Sequence, residues 1–307
     1  MSRKALTTPA KHADGRVTFQ DVAQQFLTSR RVLGLSPTSI RSYADVLHYL
    51  ETHGFPTRLD TLTVDDIEKY IAYLLDGGMK PVTVNGKLRT LKAMLGYAFT
   101  RGILPNNPMR RVKFLRHERT IIKAFDRTQI RKIIQTCDDG TFVGVREAAL
   151  VYMMLDTGCR ISELLGLRMG DIDAPHHRAT VMGKGRKPRV VYYTHMTANA
   201  LESYLENRGT LPHDIVFVSE TNAPAKVRTV QDRLHDVGIR AGITGVRMSP
   251  HTFRHTFAKM YIQNGGDIFT LQKMLGHTTL DMVRKYVEMF GDDVSEAHAK
   301  YSPVDSL

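Results

Sequence analysis

Helix start and stop signals recur four times between Thr18 and Pro108. That punctuation leaves one architecture open to the first third of the chain. TFQDVAQQFLTSRRVL places Thr18 as an N-cap ahead of Phe19, Val22, Phe26 and Leu27 at helical spacing. Ser36-Pro37 is a cap followed by proline at the first helical position, with Ile40, Tyr43, Ala44, Leu47 and Leu50 on one face. Thr63 and Asp66 have capping-box spacing, and their helix stops at Gly77-Gly78. A fourth pattern runs from about Val82 to Arg101 and ends at Gly102, before the Pro105 to Pro108 breaker. Four such helices over residues 17–108 predict a small all-α bundle. Residues 1–16, polar and aperiodic, are expected to form a flexible tail.

The remainder reads differently. Asp126 caps a helix with Gln129 at its third position, and Phe142 to Asp156 is a strongly apolar one. Around Ala179 to Tyr193, RATVM (from Arg178), then the turn GKGRKPR, then VVYY give a hairpin pattern. DIVFVS is a further strand candidate, and from Val227 onward the pattern is helical, broken at Gly265-Gly266 and Gly276. The 307 residues thus divide into two domains, α+β overall: an all-α first part and a mixed, mainly α second part with a small antiparallel sheet. No apolar window approaches the ~20 residues of a membrane-spanning helix. The first residues lack a secretory h-region. Two cysteines make no disulfide framework, so the expected location is the cytoplasm.

Charge narrows the partner. The chain carries 43 Lys and Arg against 31 Asp and Glu, a net +12. Residues 1–120 hold 19 basic and 10 acidic side chains, hence +9, and residues 121–307 hold 24 and 21, hence +3. Such an excess fits a polyanion, because Lys and Arg that displace counterions from phosphates gain affinity without base contacts. Residues 109–123, which include RRVKFLRHERTIIK, form a basic stretch after the proline breaker. It reads either as an interdomain linker tracking a DNA backbone through Arg110, Arg111, Lys113, Arg116 and Arg119, or as a solvated surface strand.

Four clusters in the second part are rich in phosphate-binding residue types: TGCRISELLGL (157–167), GKGRKPR (183–189), SPHTFRHTFA (249–258) and LGHTTLDMVRKYV (275–287). Singly they say little. Arg160 alone fits a surface ion pair, and Lys184 a solvated turn. His251 and His255 share a helix face, but the pattern offers neither a zincin glutamate nor a third ligand, so no metal is expected. Cys159 reads as a small buried residue. Taken in order, the clusters resemble the tyrosine recombinase (phage-type integrase) family over about 130 residues. The family's succession of Arg, hairpin Lys, His-x-x-Arg, His or Trp, then Tyr is met by Arg160, Lys184, His251 with Arg254, His277 and Tyr286.

The resemblance implies a SAM-like, core-type DNA-binding domain at 17–108, a basic linker at 109–123, and a catalytic domain at 124–307 with a C-terminal tail helix, the two domains closing as a clamp on duplex DNA. It implies a site-specific recombinase working through a 3′-phosphotyrosine and a Holliday junction, with neither ATP nor metal as cofactor. Arg160 and Arg254 would grip the non-bridging oxygens with planar, permanently charged forks, and His277 would add a hydrogen bond. Tyr286 would be the nucleophile and His251 the base for its proton. Lys184 would protonate the leaving 5′-oxygen. Glu163 would orient its neighbours, and Arg186, Lys187 and Arg189 would contact DNA. His255 and Thr256 are expected to pack or support, as are Arg168 and Arg247.

The implied partners are double-stranded DNA with inverted-repeat core sites, and three further copies of the chain or a second recombinase in a tetramer. DNA-bending accessory proteins belong to the same picture, as does a place at the nucleoid. The short N-terminal tail resembles Xer-like or transposon-type recombinases rather than enzymes with an arm-binding domain. Three alternatives differ in class. A type IB topoisomerase would relax DNA without paired sites. A non-cleaving regulator would bind DNA without needing Tyr286. A metal-dependent nuclease would require carboxylate clusters that the sequence lacks.

Overall fold

In the first unit three of the four helices begin where a side chain satisfies an otherwise unpaired backbone N–H. α1 (Phe19–Val32) is capped by Thr18, α2 (Pro37–Thr52) by Ser36, and α3 (Val64–Asp76) by Thr63 and Asp66 in a reciprocal capping box. α4 (Pro81–Thr100) differs, starting with proline at its first turn and no side-chain cap. Their apolar faces meet over Phe26, Leu88, Leu91, Met94 and Leu95, all wholly buried. Each such leucine stabilises by roughly 1.5–3 kcal/mol relative to exposure. The four expected helices are all present, within a residue or two of their expected ends.

This computed structural model describes residues 16–116, 123–137, 139–183, 185, 187–276, 284 and 286. The chain divides into two compact units, Met1–Thr120 and Ile121–Leu307. The N-terminal tail expected over 1–16 lies, but for Arg16, outside the described residues; so do 117–122 of the basic stretch and the C-terminal tail helix. The earlier part of that stretch is held on the first unit. Asn85 on α4 receives the Leu115 N–H and donates to the Leu115 carbonyl, both at 2.9 Å, and Val112 is buried. These residues are therefore part of the bundle's surface and not free chain.

The second unit is built round α6 (Phe142–Thr157), which packs against α5 (Arg127–Cys137), α8 (His195–Arg208) and α10 (Pro250–Gln263). α7 (Ile161–Leu164), α9 (Val227–Arg240) and α11 (Ile268–Leu275) complete the helices described. β1 (Ile172–Asp173), β2 (Arg178–Met182) and β3 (Pro188–Tyr192) form an antiparallel sheet in the order β1-β2-β3. Ala179 pairs with Val191 and Val181 with Arg189. Alternation sends Ala179, Val181 and Val191 into the core.

DIVFVS, expected as a strand, makes only isolated bridges, Arg168 to Ile215 and Val218 to Pro224. Its backbone bonds Leu167 and Met169 on one side and Ala223 and Ala225 on the other only at scattered points, and side chains of α8 take up much of the rest. Arg208 donates to the carbonyls of His213, Ile215 and Val216, and Tyr204 bonds both the Val216 carbonyl and the Val218 N–H. A buried backbone must be paired, but not necessarily with another backbone. Among the described residues, no helix is long and apolar enough to cross a membrane.

Candidate active site

The site starts where α6 ends. Gly158 takes a left-handed conformation (φ 62°), and a Cβ there would come within 2.4 Å of Phe257 and 2.8 Å of Leu275. Only glycine fits both the backbone angle and the close approach of α10 and α11. The chain then turns into α7 through Arg160. The Arg160 N–H donates to Glu163 Oε2 at 2.8 Å, and its guanidinium to Oε1 at 2.9 Å.

Glu163 also receives both terminal nitrogens of Arg189, at 2.9 and 2.8 Å, while Arg189 Nε donates to the Met274 carbonyl. One buried carboxylate thereby orders arginines from two different elements. Burial alone would raise the Glu163 carboxyl. Hydrogen bonds from Arg189 and the Arg160 backbone, with the charge of Arg189, outweigh it and hold the group below its ordinary value.

α10 is capped by Ser249 and carries Pro250 in its first turn. It presents Arg254 inward. One terminal nitrogen donates to the Gly158 carbonyl at 2.6 Å and the other to the Leu275 carbonyl at 2.7 Å. These carbonyls close α6 and α11, where helix ends carry partial negative charge. Burial first, then the nearby Arg160, pushes Arg254 down to about 10, so it stays charged at neutral pH.

Tyr286 is 4% exposed and packs with Phe257, Ala258, Ile262, Leu271 and Leu275. Burial raises its phenol, and the charges of Arg254 and Arg160 pull against that rise. Its hydroxyl lies 2.6 Å from His255 Nδ1. Burial, then the charges of His251 and Arg254, hold His255 down at about 4, so the imidazole is neutral at pH 7. With a neutral ring, the phenol O–H is assigned as donor and Nδ1 as acceptor.

Of the residues singled out in the sequence, Arg160, Glu163, Arg254 and Tyr286 are gathered around this point. His251 is exposed on the first turn of α10. Lys184, His277, Arg119 and Arg186 lie outside the described residues. Arg110, Arg111, Lys113, Arg116 and Lys187 are exposed. The guanidinium of Arg110 lies 4.8 Å from the centre of the Phe99 ring.

One expectation needs correction, and one residue has a partner that the sequence did not name. Arg189, expected at the DNA, has its whole fork committed to Glu163 and Met274, with its side chain 14% exposed. It is an internal strut. His255, expected only to pack or support, is bonded to the Tyr286 hydroxyl. Its place four residues after His251, on the same helix face, was the available signal. Thr256 does serve the interior, accepting from the Phe125 N–H. No group of three or more potential metal ligands occurs among the described residues.

A helical unit is thus followed by a mixed one that gathers fixed guanidinium groups and a buried phenol, residue types that suit phosphodiester chemistry. The family models agree. The phage integrase family matches residues 123–291, and the phage integrase SAM-like domain matches residues 18–115. The chain belongs to the phage integrase family and is a tyrosine recombinase, an enzyme of site-specific recombination.

It is 28% identical over 276 residues to the tyrosine recombinase XerC of Staphylococcus epidermidis, covering 87% of this chain and 92% of the relative. To the tyrosine recombinase XerD of Listeria innocua it is 26% identical over 280 residues, covering 88% and 94%. Its fold matches the Tn1549 transposon integrase in complex with transposon right end DNA, with a TM-score of 0.78 at 18% identity and coverage of 94% and 100%. It also matches a lambda integrase dimer bound to a COC′ core site, with a TM-score of 0.75 at 17% identity and coverage of 91% and 79%.

Proposed function

We propose that the chain cleaves duplex DNA at inverted-repeat core sites through a 3′-phosphotyrosine on Tyr286. The observation that carries this reading is the burial of Tyr286 against Leu275, whose carbonyl, with that of Gly158, fixes the guanidinium of Arg254. In the attack, the phenolic oxygen forms a bond to phosphorus and the bond from phosphorus to the 5′-oxygen breaks. Arg160 and Arg254 bind the non-bridging oxygens as charge accumulates there. A preorganised donor of this kind is typically worth roughly 3 kcal/mol. Glu163 positions Arg160. Lys184 protonates the departing 5′-oxygen and His277 supplies a further hydrogen bond at the phosphate, while His251, the motif's candidate base for the Tyr286 proton, is exposed on α10 and is assigned a hydrogen bond at the phosphate instead. The phosphotyrosine conserves the bond, so rejoining needs neither ATP nor metal.

The relatives named XerC and XerD, and the DNA complexes of similar fold, support double-stranded DNA as substrate. The assembly proposed is a tetramer passing through a Holliday junction, in the cytoplasm at the nucleoid. Residues 17–108 and 124–307 are proposed as its two DNA-binding bodies, with 109–123 joining them and Arg110, Arg111, Lys113, Arg116, Arg119, Arg186 and Lys187 as phosphate contacts. Trapping tests the chemistry. Incubation with nicked duplex in EDTA without ATP should give a protein–DNA adduct on denaturing gels. Tight binding without an adduct from any nicked duplex would favour a non-cleaving regulator.

A further inference from the structure

The hydroxyl that the proposed reaction must deprotonate is occupied by a residue that the recombinase motif does not include. His255 Nδ1 sits 2.6 Å from the Tyr286 oxygen, with ring centres 5.6 Å apart, and the phenol is buried among apolar side chains. No other bond to this hydroxyl is seen among the described residues. His251, the motif histidine, lies one turn earlier on α10 and is exposed.

We propose that His255 is a catalytic residue that takes the Tyr286 proton during attack and returns it during rejoining. This rests on Tyr286 being the nucleophile. As the oxygen bonds to phosphorus, its O–H bond breaks and the proton passes to Nδ1, giving an imidazolium. The phosphorus–5′-oxygen bond breaks in the same event, and the 5′-oxygen takes its proton from Lys184. In rejoining, the 5′-hydroxyl attacks the phosphotyrosine, and His255 hands the proton back to the leaving phenolate.

The surroundings make this transfer conditional on substrate. In the free protein, burial first, then the neighbouring His251 and the charge of Arg254, oppose an imidazolium on His255. A phosphate gripped by Arg254 and Arg160 brings negative charge to the same neighbourhood and lifts that opposition. The nucleophile thus stays protonated until a phosphodiester arrives, which guards against idle reaction of a bare phenolate.

The decisive variants are His255→Ala and His255→Asn. The His255→Asn side chain would keep an acceptor where Nδ1 stands but supply no base, so it separates proton transfer from mere positioning. Adduct formation is to be timed in single turnover on a nicked duplex selected by the full-length protein from a randomised pool, with Tyr286→Phe alongside. We expect both His255 variants to slow cleavage by about 10²–10⁴-fold with DNA affinity unchanged. We also expect the His255→Asn rate to climb with pH where the wild-type rate is flat, because its proton must go to solvent. A His255→Asn rate near wild type with a flat profile overturns the proposal and leaves His255 as a positioning residue. An adduct from Tyr286→Phe overturns the nucleophile assignment and the proposal with it, whereas loss there alone leaves the former standing. Independently of DNA, the His255 ring resonances in ¹⁵N-histidine-labelled protein must shift on Tyr286→Phe, and unmoved resonances refute the pairing.

Discussion

In the first unit the buried polar side chains are Asn85 and Thr90, and no charge is enclosed among the described residues. In the second, Arg146, Glu147, Glu163, Arg208 and Arg254 are all buried. The first interior is an apolar filling closed by caps at its surface, a construction tolerant of volume-conserving exchange. The second encloses ions whose desolvation is offset only while their partners stay in place. Some of these serve the fold, as Arg208 does by pairing with the DIVFVS backbone. Others serve the site, as Arg254 and Glu163 do. The difference teaches where specificity of geometry was required: the helical unit needs shape, while the mixed unit needs particular atoms at particular distances.

Four substitutions test that contrast. Tyr286→Phe should abolish adduct formation altogether while leaving DNA binding intact in a mobility-shift assay. A surviving adduct would show that the second unit's charges are organised around some other group. Arg254→Lys should lower the cleavage rate by about 10²–10³-fold, since an ammonium cannot span the Gly158 and Leu275 carbonyls and a phosphate as a planar fork does. A rate near wild type would mean that charge without geometry suffices.

Glu163→Gln should destabilise the second unit by about 3 kcal/mol or more in denaturant unfolding, because the Arg189 fork is left without its carboxylate. Its pH dependence has a definite sign. The folded Glu163 carboxyl lies below its unfolded value, so its contribution is present above the unfolded value and is lost as pH falls through the folded one. The glutamine variant should lose that acid-side dependence, and an unchanged pH–stability curve would refute the coupling. Smallest is Thr63→Ala, which removes one side of the capping box of α3 and should cost about 1 kcal/mol in thermal unfolding. A loss as large as that of Glu163→Gln would erase the proposed distinction between the units.

Much of this was legible in the sequence because the signals are local. Thr18, Ser36 and Thr63 announce their helices through side chain and backbone within three residues. The hairpin of β2 and β3 announces itself by alternation and a glycine-rich turn. α8 gave no such announcement. HMTANALESYLENR has a weak apolar face, and its start is fixed by Asp156, which receives the Thr194 N–H and the hydroxyls of Thr194 and Thr197 from a helix some forty positions earlier. In the site, an ordered motif made Arg160, Arg254 and Tyr286 visible. The partners of Arg189 and His255 depend on which elements the fold brings together; spacing could place His255 on the face of His251 but could not name Tyr286 as its partner.

The two carbonyls that hold Arg254 have a mechanical consequence. Leu275 is the last residue of α11, from which the chain departs toward Tyr286. The guanidinium proposed to grip the phosphate is thus bolted to the end of α11, eleven residues ahead of the proposed nucleophile. Anything that shifts the end of α11 must therefore shift this guanidinium with it, so the geometry offered to the phosphate is set by where one helix stops.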